Sequence, residues 1–232
     1  MALFRYACYF LGVGLLTWAL AMLEISSPGS LQLQVFMHAD DSLGTSEFSP
    51  VEMLQPGILV ICGLLYAWVA ENCPSQRPIA LVFGGMALAF TIRELDFFLD
   101  RYVAENFWQV VLGVVVALVI AYTYRQRRRF RIAWLRMWPS PGLTLLFAGA
   151  IIIFVFVQIV GQESLWQAIL GEHYQRIVKL AVEEFIELSG YFLWLIGTIE
   201  YLFQARAIAM REPQAAVQKR RERRRPKSGG RF

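Results

Sequence analysis

Apolar residues along this chain are grouped into six blocks separated by polar segments. The blocks cover residues 6–23, 53–70, 79–99, 107–124, 142–160 and 177–203. A helix of about 20 residues crosses a hydrocarbon core of about 30 Å, and every block is close to that length. In lipid, backbone N–H and C=O groups have to be paired within their own segment, which favours helices. The pattern predicts an all-α, polytopic membrane bundle of six transmembrane helices, in one domain covering residues 1–205.

The first block also fits a cleaved signal peptide. Residues 1–23 carry one basic residue, Arg5, ahead of the apolar stretch, and the segment Ala19-Leu20-Ala21 has the small-residue pattern of a cleavage site. Cleavage would leave five spans and would not change the orientation of the others. The sequence leaves both interpretations open.

Composition and cysteine usage exclude several other classes of protein. The chain is 57% hydrophobic and 17% charged, whereas soluble domains average about 25% charged residues. Cys8, Cys62 and Cys73 form no even, regularly spaced set, so the sequence predicts neither a disulfide framework nor a cysteine metal site. No dinucleotide-binding or phosphate-loop fingerprint is present, and the sequence therefore names no cofactor.

The basic residues are segregated, and their positions predict the orientation of the chain. Of the 22 Lys and Arg residues, six lie in 125–136 and ten in 206–231, whereas the loop 24–52 contains none. Basic residues collect in the cytoplasmic loops of membrane proteins. We therefore expect an inner-membrane protein of a bacterial-type cell, with both termini in the cytoplasm.

The two basic segments also predict a partner in addition to the bilayer itself, namely anionic lipid headgroups. The residues expected to contact headgroups are Arg125, Arg127, Arg128, Arg129, Arg220, Arg221, Arg223, Arg224 and Arg225. Residues 206–232 are expected to form a disordered tail that anchors the topology. No aromatic platform or folded nucleic-acid module accompanies these runs, which argues against nucleic acid as a partner.

Ionisable side chains inside membrane spans are costly and often functional. In this chain they form two clusters, one in the third block and one in the sixth. Their members are Arg93, Glu94, Asp96, Asp100, Lys179, Glu183, Glu184 and Glu187. Arg93, Asp96 and Asp100 fall at i, i+3 and i+7 and are therefore expected to share one helical face.

The sixth block carries a polar and aromatic stripe at helical spacing. Lys179, Glu183 and Glu187 are four positions apart and therefore share a face. That face continues through Tyr191, Trp194, Thr198 and Tyr201. We expect this stripe to face protein or water rather than lipid.

The predicted topology brings the two charged clusters to the same depth. The third helix runs outward and the sixth runs inward, so both charged halves lie near the outer surface. The bases expected in this pocket are Arg93, Arg101, Arg176 and Lys179, which leaves a surplus of two acids over bases. Crowded carboxylates bind a proton or a cation more readily than isolated ones.

Three functions are compatible with an outward-facing acidic pocket. The first is transport or permeation of a proton or small cation, with Glu183 and Glu187 as carriers and Arg93 as counter-charge. The second is a membrane-embedded enzyme at the outer leaflet, with an acid as general base or a metal held by Glu183, Glu187 and His173. The third is a non-catalytic assembly or sensory role, in which the charges are structural ion pairs and the partner is another copy or another membrane protein.

Two smaller features also give predictions. Residues 163–170 are amphipathic and are expected to form an interfacial helix. Glu200, near the inner end of the sixth helix, is expected to reach the interface or pair with Arg206.

Overall fold

The structure, a computed structural model, describes residues 2–27, 31, 35–37, 43–45 and 50–224. Of the predicted headgroup residues, Arg225 lies outside this part, as does the end of the predicted tail, 225–232. The side chains of 212–224 are also outside it, although their backbone is described.

Helices form nearly all of the described chain. They are α1 Ala2–Ser26, α2 Pro50–Asn72, α3 Arg77–Glu94, α4 Asp96–Tyr102, α5 Phe107–Arg125, α6 Arg127–Met137, α7 Pro141–Ile151, α8 Val157–Val160, α9 Glu163–Leu170 and α10 Arg176–Arg224. A π-helical turn at Ile152–Phe156 joins α7 to α8, and a 3-10 turn at Gly171–His173 follows α9. Two three-residue strands, β1 Val35–Met37 and β2 Leu43–Thr45, pair antiparallel in the long first loop. The all-α fold class is therefore confirmed, apart from this hairpin.

Four helical segments are long and apolar enough to cross a membrane, as judged by length and composition. They are Leu3–Ser26, Val51–Asn72, Phe107–Arg125 and Pro141–Val160. These segments correspond to four of the six predicted spans and indicate a membrane protein. The other two predicted spans, in α3 and α10, contain the charged clusters, and they do not meet the same criterion.

The third predicted span is interrupted, contrary to the expectation of one helix over 79–99. Helix α3 ends at Glu94 and α4 begins at Asp96, because Leu95 has φ −105° and ψ 17°, outside the helical range. The Leu95 amide still donates to the Thr91 carbonyl, and the Leu99 amide to the Leu95 carbonyl. The interruption is thus a local bend, which changes the face that Asp96 and Asp100 present relative to Arg93.

Two further boundaries differ from the predicted ones, and a third agrees with its prediction. The basic segment expected as a loop forms helix α6, with Ala133 and Met137 buried. Helix α10 continues through Arg224, past the predicted end of the sixth span at 203. A helix, α9, covers residues 163–170, the range expected to form an interfacial helix.

Helix α10 is the centre of the bundle and packs against α2 and α7. Its contact with α7 is close because glycines face each other along the seam. A Cβ on Gly149 would lie 2.7 Å from the carbonyl oxygen of Gly190, and one on Gly197 would lie 2.9 Å from that of Gly142. Gly142 and Gly149 are seven residues apart on α7, and Gly190 and Gly197 are seven residues apart on α10. Because the two helices run antiparallel, their backbones approach closely at both glycine pairs.

Contacts to α10 show which segments share an end of the bundle. Near its second half, Glu200 binds Arg5 of α1, and the Tyr201 hydroxyl donates to the Gln76 carbonyl in the α2–α3 turn. Near its first half, Glu187 binds Arg93 of α3, and Glu184 binds Gln55 of α2. The two charged clusters therefore lie at one end of the bundle, opposite the end where Arg5 is held.

Candidate acidic cavity

A cavity of about 270 Å³ lies where α2, α3, α4 and α10 meet. Its lining is mostly polar, and it brings together the charged ends of helices that are far apart in sequence. The lining residues are Glu52, Met53, Gln55, Arg93, Glu94, Asp96, Phe98, Glu183, Glu184 and Glu187. The third-block and sixth-block clusters are thus in contact, at one end of the bundle.

Arg93 and Glu94, the last two residues of α3, each bind a residue of α10. Arg93 Nη2 donates to Glu187 Oε1 at 3.0 Å, and Arg93 Nε lies 3.6 Å from Glu94 Oε1. The Tyr191 hydroxyl donates to Glu94 Oε1 at 2.6 Å. Tyr191 is fully buried and Glu187 is 6% exposed, so this network forms the protein-facing wall of the cavity. Charge-assisted hydrogen bonds of this kind are roughly twice as strong as neutral ones.

Glu184 has a different environment, because the group bound to it is a neutral amide. Gln55 Nε2 donates to Glu184 Oε2 at 2.8 Å. No cation contacts Glu184 among the residues that the structure describes. Sequence reasoning missed Gln55. The available signal was its position three residues after Glu52, which places the two on one face of α2.

Glu183 is paired within its own helix. Lys179 Nζ lies 2.9 Å from Glu183 Oε2, an i,i+4 pair with both side chains partly buried. Gly161, just after α8, makes room for this carboxylate, since a Cβ there would lie 2.6 Å from Glu183 Oε1. The glycine that follows the fifth predicted span therefore leaves the space that the Glu183 carboxylate occupies.

Acids outnumber bases in the lining. Six carboxylates line the cavity and Arg93 is the one base among its lining residues, with Lys179 reaching Glu183 from beside it. Glu52 and Asp96 have further interactions, so the excess is a balance of charge and does not mean that these acids lack partners. The excess of acids expected from the sequence is thus present around the cavity.

The membership of the site differs from the predicted one at several positions. Glu52 lines the cavity, whereas Asp100 does not and has a buried Oδ1 with no hydrogen-bond partner in the described chain. Asp96, at the start of α4, lines the cavity with Arg93, whereas Asp100 lies about one helical turn further along α4. Arg176 is exposed, and the side chain of Arg101 lies outside the described part.

A metal site is not formed by the candidate ligands. His173 is exposed in the turn after α9 and is not among the residues that line the cavity. Within the described ranges, no three His, Cys, Asp or Glu side chains stand where they could hold a metal ion. The geometry gives no support to Glu183, Glu187 and His173 as ligands.

The opposite end of α10 holds a second buried carboxylate. Glu200, 5% exposed, receives two hydrogen bonds from Arg5, both at 2.9 Å, and one from the Tyr9 hydroxyl, also at 2.9 Å. The predicted partner, Arg206, instead lies over the Trp68 ring at 5.3 Å. Pairing with Arg206 is thus wrong, because an arginine six positions along the helix lies on a different face.

The basic turn between α5 and α6 forms a separate concave surface. A cavity of about 350 Å³ is lined by Tyr124, Arg125, Gln126, Arg127, Arg128 and Arg129. The Arg127 guanidinium lies 4.9 Å from the centre of the Tyr124 ring. Four of the predicted headgroup residues therefore converge, which is compatible with an anionic ligand.

Comparison with known proteins found no family model, no curated protein sequence and no solved structure that matches this chain.

Proposed function

We propose that this protein is a six-helix inner-membrane protein that moves protons or small cations through the acidic cavity. In this arrangement α3 and the first half of α10 are the remaining two spans, and their charged segments are covered by neighbouring helices. Polar residues in membrane helices face the bundle interior or a hydrated cavity in this way. By the positive-inside rule, the basic α5–α6 turn and the end of α10 lie in the cytoplasm and the cavity opens outward.

The observation that carries the proposal is the excess of carboxylates around a cavity large enough for several waters. Six acids converge from α2, α3, α4 and α10, while one base lines the same space. Bringing like charges together in a low-dielectric region favours the binding of a proton or cation. Structural pairing alone would call for matched numbers of acids and bases.

The contacts favour two of the acids, Glu184 and Glu187, as carriers of the proton or cation. Glu184, held by a neutral amide, is free to exchange a proton or cation without breaking an ion pair. Glu187 is the second carrier, because protonation would release Arg93 from it and weaken the link between α3 and α10. Glu183 was a carrier in the sequence-based hypothesis. Because Glu183 is paired with Lys179, we assign the role of carrier to Glu184 instead.

The proposal is tested by flux into vesicles that contain the purified chain. Gradients of protons, sodium and potassium, imposed one at a time without an ionophore, drive flux, and an internal pH dye or the matching sodium or potassium indicator reports which ion moves. We expect flux in the native chain and its loss in Glu184→Gln. The matched control is Glu172→Gln, an exposed acid outside the cavity, which should conduct normally. Equal flux in all three proteins would refute the role of the cavity.

A second candidate function is a non-catalytic assembly or sensory role. It is favoured by the ion pairs that join different helices, Arg93–Glu187 and Arg5–Glu200. In that case neither the native chain nor any variant would show flux. Glu184→Gln would change only the stability of the protein. The flux assay therefore separates the two functions.

A further inference from the structure

A line of buried polar side chains continues from the cavity along α10. Tyr191 does not line the cavity, but its hydroxyl donates to Glu94, which does. Further along, the hydroxyls of Thr198 and Tyr66 are hydrogen-bonded at 2.8 Å, and the rings of Tyr66 and Tyr201 lie 5.7 Å apart. Tyr201 then donates to the Gln76 carbonyl at 3.2 Å. These groups extend from the acidic cavity to the opposite end of the bundle.

Unpaired polar atoms mark the far end of this line. Ser75 Oγ and both side-chain polar atoms of Gln76 are buried and have no hydrogen-bond partner in the described part of the chain. Gln76 as a whole is fully buried. Buried polar atoms in native proteins are almost always paired, commonly with ordered water. The turn between α2 and α3 therefore offers a hydration site where the line of hydroxyls ends.

We infer that the cargo is the proton, and that it passes between the cavity and this turn along the hydroxyls of Tyr191, Thr198, Tyr66 and Tyr201. The inference rests on the proposed function and narrows its substrate class. It follows from the joint placement of an acidic cavity, a buried line of hydroxyls and unpaired polar atoms at the other end.

Packing along the line favours a proton over a hydrated cation. Tyr66, Tyr191, Thr198 and Tyr201 are all fully buried, so a hydrated ion would have to displace several aromatic side chains. A proton needs no open channel, because it moves along hydrogen bonds. Each hydroxyl accepts one proton on one side and releases its own on the other, so the chain of groups is restored once the hydroxyls rotate back.

Two steps of the line have no direct hydrogen bond in the described chain. Tyr191 and Thr198 are seven residues apart on the helix, a rise of about 10 Å, and Tyr66 and Tyr201 are in contact through their rings rather than their hydroxyls. Proton transfer across both steps requires water molecules that enter when the helices separate. Release of Arg93 from Glu187 is one event that would loosen α3 from α10 at the first step. These steps make conduction gated rather than continuous.

The test is proton flux in vesicles containing the full chain, with variants that remove one hydroxyl and keep the shape of the side chain. Thr198→Val and Tyr66→Phe are expected to lower proton flux by about tenfold or more, equivalent to a barrier increase of about 1.4 kcal/mol. The control for the first is Thr123→Val, because Thr123 donates to the carbonyl four residues earlier at 2.7 Å, as Thr198 does at 2.9 Å. The control for the second is Tyr102→Phe, at an exposed tyrosine. Both controls should conduct normally.

Each result has a distinct meaning. Native proton flux that is lost in the hydroxyl variants but kept in both controls supports the inference. Proton flux lost in Glu184→Gln but unchanged in Thr198→Val and Tyr66→Phe overturns the path and leaves the cavity function standing. Sodium or potassium flux without proton flux overturns the proton as cargo only. Absence of all three fluxes overturns both the inference and the proposed function.

Discussion

Arg93 Nη2 lies 3.0 Å from Glu187 Oε1 and joins α3 to α10 across 94 positions of sequence. Replacing Arg93 with alanine would leave Glu187, 6% exposed, without its cation. An unsatisfied buried acceptor costs about 1–3 kcal/mol, and we expect Arg93→Ala to lower the free energy of unfolding by about that amount. The low end of the range applies because the Arg93 side chain is 36% exposed. Denaturation in detergent, followed by circular dichroism, measures the effect.

A double variant is the control for this interpretation. Arg93→Ala combined with Glu187→Gln removes the stranded charge, so it should be more stable than Arg93→Ala alone. Additive losses in the double variant would show that the pair does not determine stability.

Replacing glycine with alanine is expected to lower stability where α7 and α10 are in close contact and to raise it at an open position of α5. Gly149→Ala would place a Cβ 2.7 Å from the Gly190 carbonyl oxygen, and overpacking of this kind costs about 1–3 kcal/mol. Gly113→Ala, inside α5, meets nothing within 4 Å. Since alanine is favoured over glycine inside a helix, it should raise stability by about 0.5–1 kcal/mol. Thermal unfolding of both variants in one detergent makes the comparison, and a loss of stability at Gly113 equal to that at Gly149 would contradict the seam.

Helix α1 is exposed along most of its length, and we expect the Arg5–Glu200 pair to hold its first turns in place. Arg5→Ala should leave the buried Glu200 carboxylate without its cation and release α1 from the bundle. Limited proteolysis in detergent should then cut after α1 faster than in the native chain. Adding Glu200→Gln to Arg5→Ala should restore part of the resistance, and unchanged proteolysis in Arg5→Ala would show that α1 is held by other contacts.

The proposed orientation predicts which cysteines react with a membrane-impermeant maleimide in intact cells. In a chain whose three native cysteines are replaced, Glu172→Cys should be labelled from outside, because the turn after α9 lies at the cavity end. Arg128→Cys, in the basic α5–α6 turn, should be labelled after the membrane is permeabilised. Labelling of Arg128→Cys in intact cells would reverse the orientation, and labelling of both would contradict the six-span topology.

Some of this structure could be read directly from the sequence because it depends on local composition. The lengths of apolar blocks predict helices, and four of these blocks became helices able to cross a membrane. The four-residue spacing of Lys179, Glu183 and Glu187 places them on one face of a helix without knowledge of any neighbour. The bend at Leu95 was not predictable in this way, because no proline or glycine marks it.

Partners across helices were decided by the tertiary structure. Which side chain meets Glu184 or Glu200 depends on the rotation and depth of each helix in the bundle, and periodicity specifies neither. The sequence by itself determined that the chain is helical, that several of its helices are long and apolar enough to cross a membrane, and that charged residues collect in the third and sixth blocks. The tertiary structure determined that Gln55 binds Glu184 and Arg5 binds Glu200. It also placed facing glycines so that α7 and α10 pack closely, because such contacts arise only when separate helices share a surface.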